Sequence, residues 1–160
     1  MTETVSIRPA QASDYDSYCA LISEVDALHI EREPLVFKDP GSPVRKREYF
    51  DSLLAAKDKA VFLAELDAHT VGFIHLETRD VSGSTILVTQ DYAYVSDLVV
   101  TMAKQRLGVG RALMAHAEQW AKQRGLNQLR LNVRSFNMPA IKLYESVGMA
   151  VNFQSMFKRF

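Results

Sequence analysis

Gln105-Arg106-Leu107-Gly108-Val109-Gly110-Arg111 is the stretch around which the rest of the chain is organised. Before it, Tyr92 to Val100 (YAYVSDLVV) is rich in β-branched and aromatic residues and reads as a buried strand. After it, Leu113, Ala117, Trp120 and Ala121 recur at helical spacing, and Gly125 supplies a stop. A glycine-containing loop therefore joins the end of a strand to the start of a helix. Such a loop aims several backbone N–H groups at one point, at the positive end of a helix dipole, which suits an anion and most often a phosphate. Lys104, Arg106 and Arg111 flank this helix start, where the dipole disfavours cations, and no acidic residue accompanies them. Basic residues so placed fit an anion brought from outside the chain. An ordinary turn with a basic surface has the same composition.

Two nucleotide motifs fail on spacing. The dinucleotide fingerprint needs a third glycine where Leu113 stands, and the P-loop needs Lys-Ser/Thr where Arg111-Ala112 follow Gly110.

At 160 residues the chain is expected to form a single domain over residues 1–160, with an ordinary 48% hydrophobic and 24% charged content. It has no apolar run of membrane-spanning length and no basic-then-apolar leader pattern in MTETVSIRPA, so no membrane partner and a cytoplasmic setting are expected. Cys19 is the lone cysteine, which excludes an internal disulfide and a thiolate metal cluster. His29, His69, His75 and His116 show no metal-ligand spacing, so no metal is expected. Net charge is zero, which argues against non-specific nucleic-acid binding, and no aromatic–basic repeat or recognition-helix pattern appears. The charge is nevertheless uneven. Residues 1–100 carry nine Lys/Arg against seventeen Asp/Glu, and residues 101–160 carry ten Lys/Arg against only Glu118 and Glu145. That split suits a polyanion held by the C-terminal part and a cationic amine facing the N-terminal part, unless folding intermixes the charges.

Read in order, Val5 to Pro9 alternates like a short first strand. Ser13 opens a helix to about Leu28, with Asp16 as capping partner, and Arg45 to Lys57 forms a second. Ala60 to Ala64 and Val71 to Leu76 make a hairpin about Asp67-Ala68-His69. The central strand, loop and helix follow. Gln128 to Arg134 is a further strand, Asn137-Met138-Pro139 begins a helix that ends at Gly148, and Val151 to Phe160 alternates as a closing strand. The order β-α-α-β-β-β-α-β-α-β predicts an α/β (α+β) fold, a mixed, mostly antiparallel sheet with helices on both faces.

The motif Gln105-x-x-Gly108-x-Gly110 resembles the pyrophosphate-binding loop of the GNAT superfamily, the acyl-CoA-dependent N-acetyltransferases. The element order is that of the GNAT fold, which implies a sheet of about six or seven strands. A second segment, Asn137-x-x-Ala140-x-x-x-Tyr144-x-x-x-Gly148, is similar to a superfamily signature, with Met149 in place of its Phe. The stretch from Val133 through Ser146 is similar to the ribosomal-protein N-terminal acetyltransferases.

The resemblance implies acetyl transfer from acetyl-CoA to a primary amine of a small molecule or a protein. Leu98, Val99 and Val100 would contact the pantetheine arm. Gln105, Arg106, Leu107, Gly108, Val109, Gly110 and Arg111 would hold the pyrophosphate, and Asn137 and Tyr144 would reach the cofactor from the last helix. Tyr144 would protonate the departing thiolate, since a phenol near pKa 10 keeps its proton at neutral pH. An amine of pKa near 10.4 costs about 4.6 kcal/mol to deprotonate at pH 7, so a base is useful. The look-alike enzymes carry a Glu for this where Asn132 stands, and Asn cannot take a proton. Asp97, beside the central motif, is the nearest carboxylate to it in sequence, and Ser96 could order a water, although a solvated strand residue would look the same. Substrate choice is expected near His29 and Phe37, with Asp26, Glu31 and Glu33 suiting an amine. A non-catalytic acyl-CoA sensor is the alternative. An exposed closing strand makes a possible homodimer.

Overall fold

The computed structural model describes residues 4–81 and 83–160. The strands are β1 (Ser6–Pro9), β2 (Lys59–Leu66), β3 (His69–Arg79), β4 (Tyr92–Val100) and β5 (Leu129–Leu131), and the helices are α1 (Tyr15–Arg32), α2 (Arg47–Ala55), α3 (Val109–Gln123) and α4 (Met138–Ser146). Among the described residues the sheet has five strands in the order β1-β2-β3-β4-β5. Neighbours are antiparallel except β4 and β5, which run parallel.

The sheet separates two apolar layers. Alternate side chains of a strand point to opposite faces, so β3 sends Ile74 and Leu76 to one side and Phe73 to the other. The first layer is closed by α3, whose Val109, Leu113, Met114, Ala117, Trp120 and Ala121 are buried at helical spacing. The second is closed by α1 and α2 through Tyr18, Leu21, Ile22, Phe50 and Leu53. Fully burying such a side chain contributes roughly 1.5–3 kcal/mol. The β2–β3 hairpin turns at Asp67 and Ala68, both at positive φ, as a tight hairpin requires.

The sheet differs from expectation in its last member. Residues 151–160 form no strand and are exposed throughout, pairing with none of the five strands among the described residues. Five strands therefore stand where about six or seven were expected. The predicted strand over residues 128–134 is shorter, keeping only the residues that face β4. The cap of the first helical segment also moves. Asp14, not Asp16, makes it, accepting from Gln11 N at 2.7 Å at the start of a single turn of 3-10 helix that leads into α1. Arg8 selects that carboxylate by gripping both its oxygens, at 2.8 and 2.9 Å, and holds it below the usual carboxylate range.

The ladder between β3 and β4 has one irregularity. Across β3, His75 faces Asp97 and Leu76 faces Val95, so Ser96 is an extra, unpaired residue in β4. Such a bulge bends its strand.

Candidate active site

The bend coincides with the end of the β4–β5 ladder. That pairing covers only Ala93–Leu129, Tyr94–Arg130 and Val95–Leu131. Beyond Ser96 the strand stays paired with β3 through Val100, but β5 no longer accompanies it. The two parallel strands thus part in a wedge, whose β4 wall is the backbone of residues 96–100. A strand edge without a neighbour presents unpaired N–H and C=O groups. Leu98, Val99 and Val100 lie on this wall, with the side chains of Leu98 and Val100 directed to the α3 layer and Val99 to the α1 layer.

At the far end of β4 the chain makes a short turn at Met102–Lys104 and enters the loop before α3. Glu24 of α1 fastens this turn, accepting from Thr101 Oγ1 at 2.8 Å and from Met102 N at 2.9 Å. Gln105 folds back and donates its side-chain amide to Val100 O at 3.2 Å. Arg106 and Gly108 then take positive φ values of 67° and 82°. The second is a left-handed position that favours glycine, and it is the N-cap of α3. No side chain caps the helix, so the N–H groups of Val109, Gly110 and Arg111 meet no capping oxygen. Leu107 and the Arg106 side chain are exposed beside them.

Gly110 also serves a closeness within the fold itself. A Cβ there would lie 2.8 Å from Leu143 Cδ2, so the missing side chain lets α4 lean on the start of α3. The Arg111 guanidinium does not point to the loop. It donates to Ser146 O at 3.3 Å and Ser146 Oγ at 3.0 Å, where a cation satisfies the last carbonyls of α4.

Tyr144 stands on α4 one residue from Leu143 and packs against the α3 layer that includes Leu98 and Leu131. Burial pushes its phenol up to about 12. Asn137, seven residues earlier, is the N-cap of α4 and accepts from Ala140 N at 3.3 Å, with Pro139 tolerated in the first turn.

Asp97 approaches from the other face. It lies on the α1 side with its oxygen 3.3 Å from Nδ1 of His75, and its carboxylate is 31% exposed while His75 is buried. A ring N–H at Nδ1 that donates to Asp97 leaves Nε2 as a lone pair, and Nε2 has no partner. The buried hydroxyl of Tyr18, in the same layer, is likewise without one. The other nearby carboxylate, Glu77, accepts from Ser96 Oγ and from Arg79 at 3.0 Å, and those partners together hold it below the usual range despite its burial. His75 is the residue that sequence reasoning passed over. Its signal was a histidine inside the apolar run Val71 to Leu76, but only the hairpin register shows that it faces Asp97.

His29 and Phe37 also come together, with ring centroids 4.9 Å apart, and Phe136 packs on His29 at 5.4 Å. Of the acidic residues of this region, Asp26 and Glu33 are engaged, while Glu31 is exposed. Asp26 holds Arg45 at 2.8 Å, and Glu33 takes a two-pronged grip from Arg134 at 2.6 Å on each oxygen. The second pair ties the loop after α1 to the segment between β5 and α4.

The acetyltransferase (GNAT) family model matches residues 24–149, a span that includes the wedge, the loop and α4. The chain belongs to this family. Among its relatives is streptothricin acetyltransferase of Escherichia coli, 24% identical over 86% of this chain and 74% of that enzyme. The [ribosomal protein bS18]-alanine N-acetyltransferase of Escherichia coli is 43% identical over 38% of this chain and 41% of its own length. In fold the family member is similar to a mutant of the BH1408 protein from Bacillus halodurans, at a TM-score of 0.92 and 20% identity over 97% and 99% of the two chains. It is also similar to an aminoglycoside N-acetyltransferase in complex with CoA, at a TM-score of 0.73 and 15% identity over 97% and 98%. Among the described residues no group of His, Cys, Asp and Glu is placed to hold a metal ion, and no helix is long and apolar enough to cross a membrane.

Proposed function

We propose that the protein transfers an acetyl group from acetyl-CoA to a primary amine, by direct attack within a ternary complex. The observation that carries this reading is the wedge: β4 loses its β5 partner at Val95 and leads, along an unpaired edge, to an uncapped helix start. Such an edge suits the amide-rich pantetheine arm, and free N–H groups at a helix N-terminus suit its pyrophosphate. The exposed Arg106 adds positive charge beside that helix start.

Two side chains then divide the proton work. Asp97 accepts the proton of the incoming ammonium, directly or through one water, from the α1 side of the wedge. His75 holds that carboxylate in place from behind. As the amine nitrogen bonds to the acetyl carbon and the carbon–sulfur bond breaks, Tyr144 gives its phenolic proton to the departing sulfur from the α3 side. The second proton that the nitrogen loses in becoming an amide returns to the Tyr144 oxygen through water. The raised pKa of Tyr144 keeps the phenolic proton in place at neutral pH. A backbone N–H of residues 98–100 serves the thioester oxygen. His29 and Phe37 line the approach of the amine, which belongs to a small molecule or a protein. With Asp26 and Glu33 already paired, the amine is received chiefly by aromatic faces. The setting is cytoplasmic, in keeping with a single unbridged cysteine.

Calorimetric titration with acetyl-CoA, CoA and ATP, followed by thiol release in the presence of an amine panel, tests the reading. Saturable binding of acetyl-CoA and CoA but not ATP, with amine-dependent release of CoA, is expected. Binding without release from any amine would reduce the protein to an acyl-CoA-binding module, and no binding at millimolar donor would remove the assignment.

A further inference from the structure

The α1 layer contains two polar atoms with no hydrogen-bond partner among the described residues, the hydroxyl of Tyr18 and Nε2 of His75. Neither residue is at the surface: Tyr18 is 0% exposed and His75 1%. An unbonded polar group so placed is destabilising, and two of them in one layer mark a place where the fold serves something besides its own packing.

Both groups converge on Asp97. His75 reaches it directly, with Nδ1 at 3.3 Å from the carboxylate. Tyr18 comes to it from α1. Its ring packs on Phe50 at 4.8 Å and on Phe73 at 5.0 Å between centroids, and Phe73 and His75 are successive residues on one face of β3. Burial, and after it the nearby Asp97 charge, push the Tyr18 phenol up, so it keeps a proton to donate. The two unpartnered atoms are also complementary in kind. With Nδ1–H donating to Asp97, Nε2 is a bare acceptor, and the Tyr18 hydroxyl is a donor. The opposite tautomer would turn a bare Nδ1 toward the carboxylate, setting two acceptors face to face. The other titratable groups about the trio are Cys19 on α1, Tyr49 on α2, Glu77 on β3, and Arg45 held by Asp26. None of them gives a hydrogen bond to either unpartnered atom.

We propose that Tyr18 is a positioning residue: its hydroxyl donates to Nε2 of His75, directly or through one buried water, and locks the ring in the tautomer whose Nδ1–H holds Asp97. The triad Tyr18–His75–Asp97 then keeps the carboxylate ionised and aimed at the wedge, as a base for the incoming ammonium must be. This role rests on the assignment of Asp97 as the base, whereas the hydrogen bonds themselves form without any substrate. A water in this position would have two polar partners of the right kind, as buried waters require.

Long-range ¹H–¹⁵N correlation spectra of the free protein at neutral pH read the tautomer, with the His75 signals identified by their loss in His75→Gln. Nδ1 should carry the proton, and Nε2 should be unprotonated but hydrogen-bonded. Tyr18→Phe keeps the ring against Phe50 and Phe73 and removes only the donor. In that variant the Nε2 resonance should move downfield toward its unbonded position, and the urea midpoint should fall. A hydroxyl that bonded to nothing would make the same substitution stabilising. In turnover, the acid limb of the kcat/KM profile for the amine should move up by about half a pH unit to one unit, with the affinity for acetyl-CoA unchanged. A proton on Nε2 of the native protein, an Nε2 signal or an acid limb unmoved by Tyr18→Phe, or a variant more stable than the native chain would each overturn the proposal. The native spectrum decides the tautomer even where the variant does not fold. A protein that transfers no acetyl group yet shows the Tyr18-dependent Nε2 signal would uphold the hydrogen bonds and overturn the purpose assigned to them.

Discussion

Residues 92–95 and 96–100 belong to one strand and have opposite lives. The first half has β3 on one side and β5 on the other, and its Ala93 and Val95 are buried in the α3 layer. The second half keeps β3 but loses β5, and it carries Ser96, Asp97 and the wall of the wedge. Val95 and Val99, one in each half, are equally buried; what differs is the number of neighbouring strands. A strand whose backbone is satisfied on both edges can only hold the fold together. A strand satisfied on one edge has groups left over for a ligand.

That contrast can be broken first where it is structural. Ala93→Asp puts a carboxylate at a position of 0% exposure inside the apolar α3 layer. A cost of several kcal/mol is expected, and urea denaturation should find the variant largely unfolded or close to it. Asp97→Asn, four residues along the same strand, should behave the opposite way. We expect turnover to fall by about 10²–10³-fold at neutral pH, while the urea midpoint and the donor affinity stay near their original values. A loss of stability matching that of the first variant would erase the distinction between the halves.

Tyr144→Phe tests the opposite bank of the wedge. Turnover should drop by about 10²-fold with donor affinity changed by less than about twofold. The same variant carries a pH signature. Burial raises the folded phenol to about 12, above the value near 10 in the unfolded chain. Both states are protonated below pH 10, so stability there is unaffected. Between pH 10 and about 12 the unfolded chain releases its proton first, and stability should fall by about 1.4 kcal/mol per pH unit. In Tyr144→Phe that share of the alkaline loss should vanish, as urea titrations at pH 9 and 11 would show. The smallest effect is expected at the loop. Gly110→Ala should weaken acetyl-CoA binding about tenfold by pressing Leu143 away, and Leu143→Ala in the same chain should restore most of it.

Most of the architecture was legible because it rests on local periodicity. The spacing of Leu113, Ala117, Trp120 and Ala121 put α3 and its buried face in place, and the glycine loop before it pointed to the helix start that the structure leaves uncapped. What escaped depended on partners distant in sequence. His75 and Asp97 are 22 residues apart and meet only through the hairpin register. The loop acids looked free until Arg45 and Arg134 were seen to hold Asp26 and Glu33. That Gly110 also lets α4 approach α3 escaped because Leu143 lies on another helix. The closing strand over residues 151–160 was read correctly as a pattern and wrongly as an element, since alternation does not say whether a segment is paired, and this one pairs with no strand among the described residues.

The unpaired Ser96 has a genetic meaning. An added residue in a strand ordinarily inverts every side chain after it, yet here Asp97 still faces His75, and Leu98 and Val100 still reach the α3 layer. The bulge absorbs the insertion at one position. An in-frame deletion of that single codon would therefore spare the core and straighten the strand, and a folded protein would lose its opening. The step between a plain sheet and one with an opening is one codon wide.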